Sequence, residues 1–473
     1  YNKIKSLSFE KINIMKKNYL FYSAILLLAL FFTQCVQQNK QANLSEISSG
    51  NQTDTMIAKR YFSGFEDAHD TYNAITEASD GKIYYILSST RHDVGGQMYS
   101  YDPQLDKTEF IADLSEALGE KEQNYIAQGK SHTEFYEHDN KLYFSTHVGY
   151  YEMIDGAEHL PKNAPEGYKL YPGGHFLYYD MSTKKLVSLG LAPDGEGILT
   201  MTMDKERGHL YGITWPKGYF IDYDLNTNKM NNLGLVSEQG ENGVIGKDYR
   251  VLCRSMFVDP RDGNVYYSVA EGDIYYYHPS DPQLKKMDGV DLRLDYFGKF
   301  DASDAGSMGY NWRKIYWYEP ENKAYGVHGN SGYLFTFDPL NKKVEIVDRI
   351  TSEPSRKSGM SDQFSYGYLG FKIKDGVIYY LTGAPIYKDG VRVAGLDKIN
   401  MGAAKGLEHL HVVTYNIPEK KYKDLGPVFY EDGSFPTYVN SIAMGSQNDI
   451  YTLARFENNG KVIEDLVRID IKR

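Results

Sequence analysis

The chain has 473 residues, including 43 Tyr, 44 Gly and 2 Cys, with 52 Lys+Arg against 63 Asp+Glu and a formal net charge of −11. Aromatic residues at 14% supply too much core material for a disordered chain, and two cysteines cannot build a disulfide framework or a zinc ribbon. The acidic balance argues against a nucleic-acid partner, which needs a basic face, and the tyrosines point to strand.

In chain order, the first feature is an address. Met15-Lys16-Lys17 opens a basic segment, and Ala24–Phe32 is an apolar run too short to span a bilayer comfortably. Cys35 follows it closely and resembles the lipidated cysteine of a bacterial lipoprotein signal, although Gln34 stands where a small residue is usual. The expected organisation is upstream residues and signal peptide over 1–34, a flexible tether over 35–55 and one folded domain over 56–473. Such a protein sits in the bacterial cell envelope, attached to a membrane through Cys35, and acts as a monomer. Loss of residues 1–34 removes five lysines and one glutamate, so the mature chain is more acidic still.

Beyond the tether one phrase recurs: a short alternating strand, a turn, a Tyr-rich strand, another turn, and a strand ending in aromatic-Asp or its equivalent. The Tyr-rich strand stands at Lys82–Tyr85, Lys141–Phe144, His209–Gly212, Asn264–Tyr267, Lys323–Gly326, Gly376–Tyr380 and Asp449–Thr452. The third strand closes on Asp102, Asp180, Asp224, His278, Asp338, Asn416 and Asp470. Asp375-Gly376 and Asn459-Gly460 read as hairpin turns. Four strands per unit in seven units predict an all-β fold: a seven-bladed β-propeller of four-stranded antiparallel blades. The last unit lacks its outer strand, and Met56–Phe62 is expected to supply it, so that an N-terminal strand closes the ring and removes exposed edges.

In a propeller the chemistry collects at one mouth of the channel. The repeat register sends Asn73, His132, Thr200, Arg254, Arg313, Tyr368 and Asn440 there from the starts of first strands. The ends of second strands add Ser88, His147, Trp215, Ala270, His328, Gly383 and Arg455. Histidines and arginines thus gather on an acidic body, which predicts a cationic mouth and an anionic ligand. Insertions at Glu152–Gly174 and Ala384–Gly406 are expected to wall a cleft, and Val236–Asp248 extends the approach to blade four. Cys253 near His278 is weak support for a structural zinc site and reads more simply as a buried thiol.

Gln128–His132 with Lys141–Tyr151, and Tyr249–Arg254 with Asp259–Tyr266, resemble the propeller polysaccharide lyases, in particular the ulvan lyase families. The resemblance implies β-elimination on a uronate-containing, sulfated, ulvan-like polysaccharide. It implies two histidines, a tyrosine and an arginine as catalytic groups: His132, His147 and Arg254 match the motifs, and Tyr219 or Tyr249 supplies the phenol. Arg313, Tyr368, His328 and Asn440 are the expected substrate contacts. No cofactor is required on this reading, and structural zinc or calcium is left open. The alternative is a non-catalytic surface propeller lipoprotein that binds glycans or proteins.

Overall fold

The computed structural model describes residues 55–154, 157–294, 300–304, 308–328, 331–357, 370–385, 387–388, 391–392 and 408–471. The signal, the tether, Cys35 and Tyr368 lie outside the described residues, as does most of the 384–406 insertion. Among the described residues no helix is long and apolar enough to cross a membrane.

The regular structure is almost all strand. Five four-stranded antiparallel sheets follow one another along the chain. The first comprises Ile75–Glu77, Ile83–Leu87, Gln97–Asp102 and Lys107–Asp113. The second is Tyr136–His138, Lys141–Ser145, His175–Asp180 and Lys185–Leu191. The third is Gly197–Asp204, His209–Trp215, Tyr219–Asp224 and Lys229–Leu235. The fourth is Phe257–Val258, Val265–Ser268, Asp273–His278 and Asp281–Asp291. The fifth is Trp312–Tyr318, Lys323–His328, Tyr333–Asp338 and Lys343–Arg349. Each Tyr-rich segment named from the repeat is the second strand of its sheet.

Two short hairpins, Glu152–Ile154 with Ala157–His159 and Tyr387–Lys388 with Val391–Arg392, stand apart, and the other strands form one eight-stranded sheet. One half holds Gly370–Lys374, Val377–Pro385, Glu408–Asn416 and Lys421–Tyr430; the other holds Ala443–Met444, Ile450–Asn458, Lys461–Ile469 and Met56–Arg60. Met56–Arg60 runs antiparallel to the Lys461–Ile469 strand, with Ala58 opposite Ile469. Its other edge pairs in parallel with Val428–Tyr430, a joint that the repeat did not foretell.

The turns explain the repeat. Asp102, Asp180 and Asp224 each accept backbone N–H bonds from the residues two and three places on, and Asp338 accepts one from Asn341. Such Asx turns fix where the third strand ends and the fourth begins. Asp375-Gly376 and Asn459-Gly460 have positive φ at both residues, as a two-residue hairpin turn requires.

Tyrosines pack between sheets because each second strand is buried on both faces. Ile86, Leu142, Phe144 and Leu177 join the first sheet to the second, while Tyr85, Tyr451 and Leu453 join the first to the Ile450–Asn458 strand. Trp312, wholly buried, donates its indole N–H to the Ser255 carbonyl at 2.7 Å and ties the fifth sheet to the fourth.

Candidate functional site

The segments that lead into the first strands converge with the ends of two second strands on a pocket. The space between its walls is about 790 Å³, open solvent at its mouth included. His132, His147, Arg254, Arg313 and Asn440 line it, together with Asn73, Tyr72, Tyr151, Glu158, Trp215, Glu241 and Tyr438.

Two imidazoles form its floor. The His132 ring stacks on Tyr72 at 4.1 Å between centroids and meets the His147 ring at 4.6 Å. The Asn73 amide donates to the His132 carbonyl at 2.9 Å, fixing the backbone beneath that ring. His147 is buried, and its Nδ1 lies 2.8 Å from the Val148 carbonyl. That oxygen can only accept, so Nδ1 carries the proton and Nε2 keeps its lone pair; Nε2 has no hydrogen-bond partner among the described residues. Burial pushes His147 down to about 3. Burial and then His147, Lys130, Arg254 and Arg313 hold His132 well below the ordinary histidine range. Both rings are therefore neutral at physiological pH and able to accept a proton. Gly197 is required behind them, because a Cβ there would lie 2.9 Å from the His147 ring.

Three phenols reach the pocket. Tyr438, with φ of 53°, donates its hydroxyl to the Tyr72 hydroxyl at 2.9 Å, which leaves the Tyr72 proton free for a ligand. Tyr151 spends its own proton on the Val148 carbonyl at 3.0 Å. Burial raises all three pKa values, so they remain protonated.

The charges are more balanced than the sequence suggested. Arg254 Nη2 lies 2.6 Å from Glu241 Oε1, and Glu241 also accepts from the Trp215 indole at 2.9 Å and the Leu252 amide at 3.0 Å. Arg455 pairs with Glu464 at 2.6 Å. The lining holds Arg254, Arg313 and Lys314 against Glu158 and Glu241, so the expected cationic mouth carries a small cationic excess. The 236–248 extension delivers Glu241, and the hairpin Glu152–Ile154 with Ala157–His159 carries Glu158 to the pocket wall.

Below the pocket a smaller cavity shares His132, Arg254 and Lys314 with it and reaches Glu134. Glu134 accepts from Lys314 at 2.8 Å, from Lys372 at 3.2 Å and from the Tyr316 hydroxyl. Burial works to raise its pKa, but the two lysines outweigh it and hold Glu134 at about 2. A depressed carboxylate contributes stability that is fully present above its unfolded value of 4.5 and lost as pH falls through about 2. Glu134→Gln should cost about 3–5 kcal/mol near neutrality, since it leaves two lysines without their carboxylate, and should flatten acid unfolding across that window. Thermal melts of both proteins from neutral pH downwards check this.

Other expected site residues lie elsewhere. Tyr219 stands half-buried at the start of its strand, outside the pocket lining, and its hydroxyl donates to Asp194 at 2.8 Å. Tyr249 is buried against Ala157, Val251 and Met308, where it supports the hairpin. His328 is wholly buried, with Nδ1 2.8 Å from the Ser331 hydroxyl and Nε2 3.2 Å from the Gly309 carbonyl, and does not line the pocket. Thr200 lines the lower cavity and donates to the Cys253 carbonyl at 2.6 Å. Cys253 is a buried thiol bonded to the Ser255 carbonyl, and half-buried His278 bonds Ser280 and Asp262. Among the described residues these two share no cluster of metal ligands. The one such cluster among the described residues, His69, Asp70 and Glu464, already holds the Arg455 guanidinium.

No known family matches the sequence, and no curated protein matches it. Among solved structures, a chain of a mitotic checkpoint complex aligns at 10% identity over 89% of this chain and 94% of its own, with a TM-score of 0.47. A chain of a nidogen/laminin complex aligns at 9% identity over 58% of this chain and 78% of its own, with a TM-score of 0.33. Likeness at these values carries nothing about function.

Proposed function

We propose that the chain is a seven-bladed β-propeller, closed by Met56–Arg60, and a polysaccharide lyase that cleaves a uronate-containing, sulfated, ulvan-like polysaccharide by β-elimination. Cys35 would anchor it at the cell envelope. The observation that supports this best is the pairing of two neutral imidazoles with a phenol whose proton is free, beside Arg254 and Arg313. Contact between successive first strands, from Ala443–Met444 to Gly370–Lys374 and on through the fifth and fourth sheets to the third, supports the ring.

In this reading the uronate carboxylate lies against the guanidiniums of Arg254 and Arg313, which neutralise it and stabilise the enolate-like transition state, worth about 3–4 kcal/mol. His132, the imidazole more open to the pocket, takes the C5 proton. The C5–H electron pair forms the C4=C5 double bond as the bond from C4 to the glycosidic oxygen breaks, and Tyr72 gives that oxygen its proton. The proton on His132 then returns to the phenolate. The substrate anion also offsets the cations that depress His132, which raises its basicity when it is needed. His147 backs His132, and Asn440, whose buried Oδ1 has no partner among the described residues, receives a sugar hydroxyl. Purified protein incubated with ulvan should raise absorbance in the unsaturated-uronate band; no rise with ulvan, pectate fragments or glycosaminoglycans would sink the lyase.

The rival reading, a non-catalytic glycan- or protein-binding lipoprotein, draws on the near balance of charge in the pocket. It requires affinity without turnover.

A further inference from the structure

Lys130 is nearly sealed from solvent, with its side chain 1% exposed. Its Nζ lies 4.7 Å from the centroid of the Tyr151 ring and 5.4 Å from that of Tyr72. The nearest carboxylate, Asp70, is at 3.5 Å, longer than a close ion pair. Its backbone exchanges both hydrogen bonds with His147, at 2.9 and 2.8 Å. Lys130 therefore touches two pocket phenols through its ammonium and one imidazole through its main chain, and Tyr72 links it to His132 by stacking.

Burying an ammonium is costly, and a methionine would fill the same space with no charge to desolvate. Two ring faces and the carboxylates of Asp70, Glu158 and Glu464 outweigh that cost and hold the Lys130 pKa above its ordinary value, so the ammonium keeps its charge. A charge kept in contact with Tyr72 and Tyr151, and one stacked ring away from His132, acts directly on the pocket.

We propose that Lys130 is a positioning residue: a buried cationic floor that orders Tyr72, Tyr151 and His147 and sets the electrostatic potential at which the pocket exchanges protons. The inference rests on the lyase reading only for its catalytic consequence. The groups facing Lys130 are Asp70, Tyr72, Tyr151, Glu158 and Glu464. Those facing His132 are Tyr72, His147, Lys130, Arg254 and Arg313, and those facing His147 are His132, Tyr151, Lys130 and Arg254. A cation beside an imidazole disfavours its charged form, so removing the cation makes protonation easier and moves its midpoint to higher pH.

The test compares wild type, Lys130→Met, Lys130→Gln and Lys130→Arg, with folding checked by circular dichroism. The His132 and His147 ring resonances are followed by NMR against pH, and the pH profile of turnover is measured on ulvan. The Met and Gln variants should move both histidine midpoints up by roughly one to two pH units, and the acid limb of turnover with them, while Arg leaves them in place. Folded Met or Gln variants with unmoved midpoints would overturn the proposal, as would an unmoved acid limb in an active enzyme. Midpoints that move in a protein without lyase turnover would uphold Lys130 and remove the lyase. If Lys130→Met fails to fold, the Gln and Arg pair carries the comparison.

Discussion

Replacing His132 with alanine is expected to lower kcat on a uronate polysaccharide by about 10²–10⁴-fold while leaving glycan affinity within a few-fold. The imidazole is the pocket group best suited to take the C5 proton: it is neutral, open to the cavity, and stacked on the phenol that would complete the reaction. Its removal leaves Arg254 with Glu241 and Tyr72 with Tyr438, so the surfaces proposed to hold the anion and the sugar hydroxyls persist. Turnover by unsaturated-uronate absorbance, set beside affinity by calorimetry, separates the two effects. Turnover that survived the substitution would exclude His132 as the base. Wild-type affinity without turnover would establish the glycan-binding reading instead.

Deleting Met56–Arg60 is expected to have the largest effect on stability. The strand covers two edges at once, Val428–Tyr430 on one side and Val467–Ile469 on the other. Met56 and Ala58 are buried in the cluster shared by these strands, and Arg60 lies 4.5 Å above the Tyr430 ring and 3.0 Å from Asp432. Loss of the Met56 side chain alone is worth about 2–5 kcal/mol. Two bare edges of hydrophobic strand would then template self-association. Thermal unfolding with light scattering, on chains that begin before and after this strand, reads both consequences. Equal melting temperatures and no added scattering would show that the strand closes nothing.

Much of the fold was legible because its signal is local. Each Tyr-rich strand lies between an aspartate or glycine turn and a second aromatic strand, and that phrase survives irregular spacing. The first-strand register brought His132, Arg254, Arg313 and Asn440 to one pocket for the same reason, and the second-strand ends added His147 and Trp215. The pocket phenols were missed because a tyrosine was sought only after the second strand of the third unit and in the loop entering the fourth. Tyr72 stands one place before Asn73 in the register, so a wider reading of that position would have found it. Tyr438 enters through a left-handed backbone, and Tyr151 lies just past the end of a second strand; neither follows from strand alternation. The charge balance was illegible for a related reason: Glu241 arrives on an insertion, outside the repeat that located Arg254.

The aspartate-closed turns also bear on how the chain acquires its shape. A hairpin fixed by its own carboxylate needs only neighbours a few residues away, so the individual sheets are rich in contacts that close short loops and form early. The joint between the Met56–Arg60 segment and the Lys461–Ile469 strand is the opposite case. Ser63 and Asp465, bonded beside it, are separated by 402 residues. Kinetically, the molecule divides into many quick local events and one slow, long-range docking step, and a ribosome must have delivered nearly all of these strands before that step can begin.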